Sequence, residues 1–287
     1  MSYSLAPAIV RAHSFLFVPA NRPERVAKAL ASGADAVIVD LEDAVPLDAK
    51  GPARDQLAQV FSSLTAPERD RLLVRINAAG MPWHEDDLAR VRELAAQGLA
   101  AVMVPKAESA TALAHVAAAI GASCALVPLM ESAAGLATLD ALAASPQVVR
   151  LAFGNLDFQA DLGLACGPDE AELVPVRLAL VLASRRAALA APIDGVTAST
   201  TDEAQIQMDA QRSRRAGFGA KLCIHPAQVA VVNAALAPTT AELDWARRVL
   251  AAYAQAGGGV FSLDDRMVDA PVVRLAQRVV DGAPDSP

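Results

Sequence analysis

Short apolar runs, each followed by a polar turn and then an alanine-rich stretch of helical spacing, recur eight times along the chain. The runs are SFLFV (14–18), AVIVD (36–40), LLVRI (72–76), AAVMV (100–104), CALVP (124–128), VVRLAF (148–153), PIDGV (192–196) and AKLCI (220–224). They are mostly continuous rather than alternating, the pattern of strands buried on both faces of a parallel sheet. Between them lie RPERVAKALASG, DDLARVRELAAQG, SATALAHVAAAIG and TDEAQIQMDAQRSRRAG. Each ends in glycine, the residue best suited to a helix C-terminus. Strict strand–helix alternation of this kind predicts an α/β fold, a (β/α)₈ TIM barrel over residues 1–238. A doubly wound sheet shares the periodicity, which cannot by itself close a barrel. Residues 239–287 read as a C-terminal helical extension or lid. It comprises the helical TTAELDWARRVLAAYAQ, a break at GGG (257–259) and VFSLDDRMVDAPVVRLAQRVV. Its apolar residues suit it to dock on the barrel or on a neighbouring subunit. The end, DGAPDSP, is expected to fray.

The apolar share of 54% is largely alanine, and only 4% of the chain is aromatic, which favours helices over an all-β architecture. A formal net charge of −7 argues against general binding to nucleic acid or to an anionic membrane. No uninterrupted apolar run reaches the roughly 18 residues of a membrane span. The start, MSYSLAPAIVRAHS, lacks the pattern of a secretory signal. Cys124, Cys166 and Cys223 are too few and too scattered for a disulfide framework or a zinc knuckle. These features together predict a cytoplasmic protein.

In a barrel of this kind the active site forms at the C-terminal ends of the strands. Nearly every run delivers a polar group there: Arg22, Asp40, Arg75 with Asn77, Lys106, Glu131, Asp157, Thr197 and His225. Glu131 ends the apolar stretch Ala125–Met130, and an ionised carboxylate beside a core is costly unless compensated. Asp157 is expected at the matching position of the next strand, and adjacent strands lie about 4.8 Å apart. Two carboxylates so placed repel unless a cation or a proton lies between them. Mg²⁺ suits such a pair, with waters and substrate oxygens completing its shell. No histidine or cysteine accompanies the acids, which disfavours zinc. Equally, each acid could cap a following helix or pair with Arg75 or Lys106, and residue types leave both readings open.

His225, in CIHP, could line the site or hydrogen-bond inside the core. The acids around His84, in HEDDLARV, are ordinary partners of a helix N-terminus. His13 and His115 have no suggestive neighbours. The lone G-x-G of GFGAKL precedes a strand, so it does not mark a dinucleotide site. Neither a Walker loop nor a G-x-S-x-G elbow is present.

FLFVPANRPERVAKAL, VIVDLEDAV, LLVRINA, VMVPKAES, LMESAAG, FGNLDFQADLG, KLCIHPAQV and MVDAP occur in order over nearly the whole chain. Each is weak alone. In register they resemble the citrate lyase β-subunit-like family, which includes malyl-CoA, β-methylmalyl-CoA and citramalyl-CoA lyases. The resemblance implies a Mg²⁺-dependent barrel, commonly a homotrimer, that cleaves or forms a carbon–carbon bond next to a CoA thioester. The partner product would be a 2-keto acid. On that resemblance Glu131 and Asp157 match the metal carboxylates. Arg75 matches the arginine that contacts substrate and stabilises the thioester enolate. Phe17, Arg22 and Lys28 match positions that hold CoA, and Leu156, Ile224 and His225 match substrate contacts. Asp269 matches an acid that reaches the active site of an adjacent subunit, where it is the expected base. Glu42 and Asp43 are expected to orient groups around the site. Ala20 in VPAN and Ser132, where threonine is commoner, depart from the pattern without removing a ligand. The same site would also serve a citrate lyase β subunit acting on a citryl acyl-carrier protein with partner subunits. A malate-synthase-like condensation and a CoA-independent pyruvate aldolase are further alternatives. A barrel kept only for binding or assembly is the non-enzyme alternative.

Overall fold

The computed structural model describes residues 5–257 and 259–282. The first residues of MSYSLAPAIVRAHS, Gly258 of the glycine run, and residues 283–287 of the DGAPDSP end lie outside the described residues. The chain folds as two compact units, one running to Ala235 and the other starting at Leu236.

In the first unit eight parallel strands close into a barrel in chain order. They are β1 (Ser14–Pro19), β2 (Ala36–Asp40), β3 (Leu72–Arg75), β4 (Ala101–Val104), β5 (Ala125–Met130), β6 (Ala152–Phe153), β7 (Ile193–Asp194) and β8 (Ala220–Cys223). β8 pairs with β1, which closes the sheet and excludes the doubly wound alternative. All residues of β2 to β8 are buried, as their continuous apolar runs required. Phe15, Ile38, Leu73, Met103, Val127 and Leu222 meet inside the barrel. Ile9, on the short helix Pro7–Arg11, packs into the same cluster. Arg150 ties that helix down by donating from Nη1 to the carbonyls of Ile9 (3.1 Å) and Ala12 (2.6 Å).

β6 is much shorter than the run VVRLAF. Val149 N donates to Leu126 O at 3.2 Å, but the next ladder bond would need an N–H from Pro128, which has none. The Val149 carbonyl accepts from Ala190 N instead. Regular pairing resumes at Leu129 with Ala152 and at Met130 with Phe153. On β7 and β8 the register partners Asp194 and Lys221 are both buried. Asp194 accepts from Arg177 Nε at 3.0 Å, and Lys221 Nζ donates to Gly195 O at 2.6 Å. Burial opposes the Asp194 charge, but Lys221, Arg177, the Ser213 hydroxyl and the Gly195 N–H outweigh it and lower its pKa.

The second unit holds the helices Thr240–Gln255 and Ala270–Asp281. Thr239 and Glu242 form a capping box at the start of the first, Thr239 N donating to Glu242 Oε2 at 2.7 Å and Glu242 N to Thr239 Oγ1 at 3.2 Å. Between the helices the extension is not purely helical. β9 (Phe261–Leu263) and β10 (Arg266–Val268) form an antiparallel hairpin. Its turn residues, Asp264 and Asp265, have φ of 51° and 59°, as a tight hairpin turn demands. Ala246, Val249, Val268 and Ala276 form the core of this unit. Among the described residues no helix is long and apolar enough to cross a membrane.

Candidate active site

The centre of the rim is built around Arg75, the last residue of β3. Its register partner on β2 is Asp40, which is fully buried. Arg75 Nε and Nη2 donate to the two Asp40 oxygens at 2.7 Å each, a bidentate pair that fixes the guanidinium plane. Asp40 is held in turn by the N–H groups of Glu42 (2.9 Å) and Ala44 (3.0 Å). Arg75 Nη1 lies 3.1 Å from Glu42 Oε2 and 3.7 Å from Asp43 Oδ2. The guanidinium also sits 4.8 Å from the Phe17 ring centroid, a cation–π contact across β1 and β3. Burial works against the Arg75 charge, but the Asp40 hydrogen bonds and the three acids outweigh it and raise its pKa.

Glu42 is nine-tenths buried, and its Oε2 accepts no hydrogen bond. Burial pushes its carboxyl up to about 8, against the pull of Arg75 and helped by Asp43, Glu131 and Asp40. The native state therefore retains a proton that the unfolded chain, near the ordinary 4.5, releases. By linkage, stability should fall as pH rises from about 4.5 to about 8. Glu42→Gln is expected to flatten that fall, measured as Tm against pH in magnesium-free buffer. An unchanged slope would contradict the assignment. Beneath Glu42, Lys50 is buried and donates from Nζ to Leu41 O (2.9 Å), Glu42 O (2.8 Å) and Asn77 Oδ1 (2.7 Å).

Glu131 follows β5 directly and is only 3% exposed. Its Oε1 accepts from the backbone N–H of Lys106 at 2.7 Å, so the residue expected as an ion-pair partner contributes its main chain. Lys106 itself adopts φ 45°. Asp157 is not at the matching position of the next strand. The register Met130↔Phe153 sets Gly154 opposite Glu131, while Asp157 lies in the first turn of the helix Asn155–Leu162. A Cβ on Gly154 would fall 2.5 Å from Glu131 Oε2 and 2.6 Å from its Cβ, so the glycine makes room for the carboxylate. Asp157 is exposed, and its charge reaches Glu131. Burial raises the Glu131 carboxyl to about 7, opposed by the Lys106 N–H and reinforced by Asp157.

The donor set fits a hard divalent cation: one buried carboxylate and one exposed carboxylate, with open rim for water and substrate oxygens. Among the described residues no group of three or more His, Cys, Asp or Glu is arranged to hold a metal.

Most of the other expected residues are exposed. Arg22 is exposed and bonds Glu24 at 2.8 Å; Lys28 is exposed in the last turn of the helix Glu24–Leu30. Leu156 and Ile224 are 47% and 42% exposed. His225 is exposed, which rules out the core reading, and its Nδ1 accepts from Ala227 N at 3.2 Å. No hydrogen bond or ion pair among the described residues joins these side chains to Arg75 or Glu131. Asp269 lies in the second unit, where its Oδ1 caps the helix Ala270–Asp281 by accepting from Val272 N at 3.2 Å. Two rim residues are structural: Thr197 is buried on Asp209 (2.7 Å), and Asn77 is held by Lys50 and Asp87. His84 is buried against the Asn77 carbonyl at 2.8 Å.

Comparison with known proteins decides the family. Residues 13–226 match the model of the HpcH/HpaI aldolase/citrate lyase family. The chain belongs to this family. It is therefore an enzyme of the aldolase and lyase kind. It is 36% identical over 283 residues to a citrate lyase subunit beta-like protein of Deinococcus radiodurans, covering 96% of this chain and 97% of the other. It is 33% identical over 265 residues to a (3S)-malyl-CoA thioesterase of Cereibacter sphaeroides, covering 90% and 91%. Among solved structures, CitE of Mycobacterium tuberculosis in complex with magnesium, acetoacetate and coenzyme A superposes with a TM-score of 0.81. That protein is 35% identical, and the match covers 96% of this chain and 99% of it.

Proposed function

We propose that this family member is a Mg²⁺-dependent carbon–carbon lyase. Its substrate is a 3-hydroxyacyl-CoA bearing a carboxylate on the hydroxyl carbon, and its products are an acyl-CoA and a 2-keto acid. The observation that carries this is the buried Glu131 carboxylate with Asp157 beside it, on the same rim as an arginine clamped by Asp40. Glu131 and Asp157 would hold the cation. When bound, Mg²⁺ supplies Lewis acidity to the substrate's hydroxyl and carboxylate oxygens. Loss of the hydroxyl proton leaves an electron pair that forms the keto C=O. The adjacent carbon–carbon bond then breaks, and its electrons pass into the thioester as an enolate, which takes a proton at carbon to give the acyl-CoA. Arg75 is positioned to stabilise that enolate, because Asp40 fixes its plane before charge develops. Asp269 of a neighbouring subunit in a homotrimer is the proposed base, with the second unit acting as a lid; its cap on Val272 uses one oxygen.

Phe17, Arg22 and Lys28 would hold the CoA arm, and Leu156, Ile224 and His225 would border the substrate. Arg22 must leave Glu24 to reach a phosphate, so its net effect is modest. Combining Arg22→Ala with Lys28→Ala is expected to raise KM for a CoA substrate roughly tenfold with kcat kept, read by steady-state kinetics. An unchanged KM would favour a CoA-independent aldolase. A second reading, thioester hydrolysis, is favoured by the similarity to the Cereibacter sphaeroides thioesterase. Mass spectrometry of products from malyl-, β-methylmalyl-, citramalyl- and citryl-CoA, with and without EDTA, tests both readings. Acyl-CoA plus keto acid supports the lyase, whereas free CoA plus the corresponding hydroxy acid supports hydrolysis. No turnover with any of them would point to a citryl acyl-carrier protein and partner subunits.

A further inference from the structure

A cleft of about 490 Å³ is lined by the segments that follow β2, β3 and β4. Its wall is largely apolar: Val45, Leu47, Met81, Trp83, Val104 and Leu113. Leu47 and Met81 are 68% and 45% exposed, so two large apolar side chains face solvent in one concavity.

The cleft's lining is joined to the proposed reaction centre by direct contacts. Glu42, in its lining, is 3.1 Å from Arg75. The segment after β4 lines the cleft and also braces the Glu131 strand. Lys106 N donates to Glu131 Oε1 at 2.7 Å, Ala107 N donates to Leu129 O at 3.1 Å, and Glu108 Oε1 accepts from Ser132 Oγ at 2.6 Å. The wall thus starts beside the carboxylate that would hold the cation.

Its charges disfavour an anion. The Lys50 amine is consumed by three oxygens, which leaves the Asp43 and Glu108 carboxylates against Lys106. Its volume is that of a site for a whole small ligand, roughly 300–1,000 Å³, far more than a methyl group fills. We propose that this cleft receives an uncharged alkyl branch, longer than methyl, carried on the hydroxyl-bearing carbon of the substrate and released as the side chain of the 2-keto acid. The inference rests on the lyase reading and extends it to the substrate's branch.

The test is binding of free 2-keto acids by titration calorimetry in saturating Mg²⁺. The series runs from pyruvate through 2-oxobutanoate and 2-oxopentanoate to 2-oxohexanoate, with oxaloacetate as the charged comparison. Each added methylene should tighten binding roughly three- to fourfold, and oxaloacetate should gain nothing over pyruvate. Leu47→Asp and Met81→Asp, both at exposed positions where folding tolerates polarity, should abolish the gain with chain length. If pyruvate binds but longer acids bind no better, the inference is wrong and the lyase reading stands. If no keto acid binds, both are wrong. A chain-length gain that survives both variants, or tighter binding of oxaloacetate, overturns the inference. So does a change in self-association by ultracentrifugation with no change in chain-length preference, because a second copy would then cover the cleft.

Discussion

Glu131→Gln should lower kcat/KM for the thioester substrate on the order of a thousandfold or more. The substitution keeps the shape of the side chain, and the amide oxygen can still accept the Lys106 N–H now bonded at 2.7 Å. What disappears is the charge that would hold the cation. In metal-free solution the same change should leave stability equal or raise it. The wild-type carboxyl is pushed to about 7 by burial and by Asp157, so ionising it works against the fold. Kinetics, Mg²⁺ calorimetry and Tm with and without Mg²⁺ together check this. Wild-type protein should gain Tm on adding Mg²⁺ and the variant should not. A variant with near-normal turnover would remove Glu131 from the chemistry.

Gly154→Ala is expected to cost roughly a hundredfold in kcat/KM, although the added group is one methyl. Gly154 has φ −90°, so alanine strains nothing in the backbone. The new Cβ would instead fall 2.5 Å from Glu131 Oε2, and the carboxylate must move aside. Displacing a positioned group by about 1 Å can cost around 10²-fold. Overpacking should take about 1–3 kcal/mol from stability as well. Kinetics at several Mg²⁺ concentrations, with denaturant unfolding, separate the two effects. Activity retained alongside lost stability would show that the glycine serves packing alone.

The eight strands were legible because continuous apolar runs and glycine-ended helices are local signals. β6 was overextended because its limit depends on Pro128, which sits on another strand. The hairpin between the last two helices was unread. Its turn is Asp264–Asp265 rather than an Asn-Gly pair, and each strand is only three residues long.

At the site, Glu131 and Arg75 could be read because each interrupts an apolar run at its C-terminal end. Their supports could not, because they depend on barrel register. Asp40 becomes Arg75's clamp only once β2 and β3 are aligned, and Lys50 reaches the site from the start of a helix. Asp157 was expected on a strand although GNLDFQ already carried a helix start after glycine. Counting register from Met130 to Phe153 would have found Gly154, and with it the reason Asp157 approaches from a helix. Asp269 was legible as a base only through the family resemblance; its cap on the helix Ala270–Asp281 is a role that its sequence context DAP supports directly.

Whether Glu131 and Asp157 act as one cation site is decided most directly by crystals grown with Mn²⁺ and pyruvate, using anomalous scattering to locate the metal. The predicted result is one peak within coordinating distance of both carboxylates, with pyruvate oxygens completing its shell. A peak bound by only one of the two acids, or located away from both, would contradict the cation site on which the lyase chemistry depends.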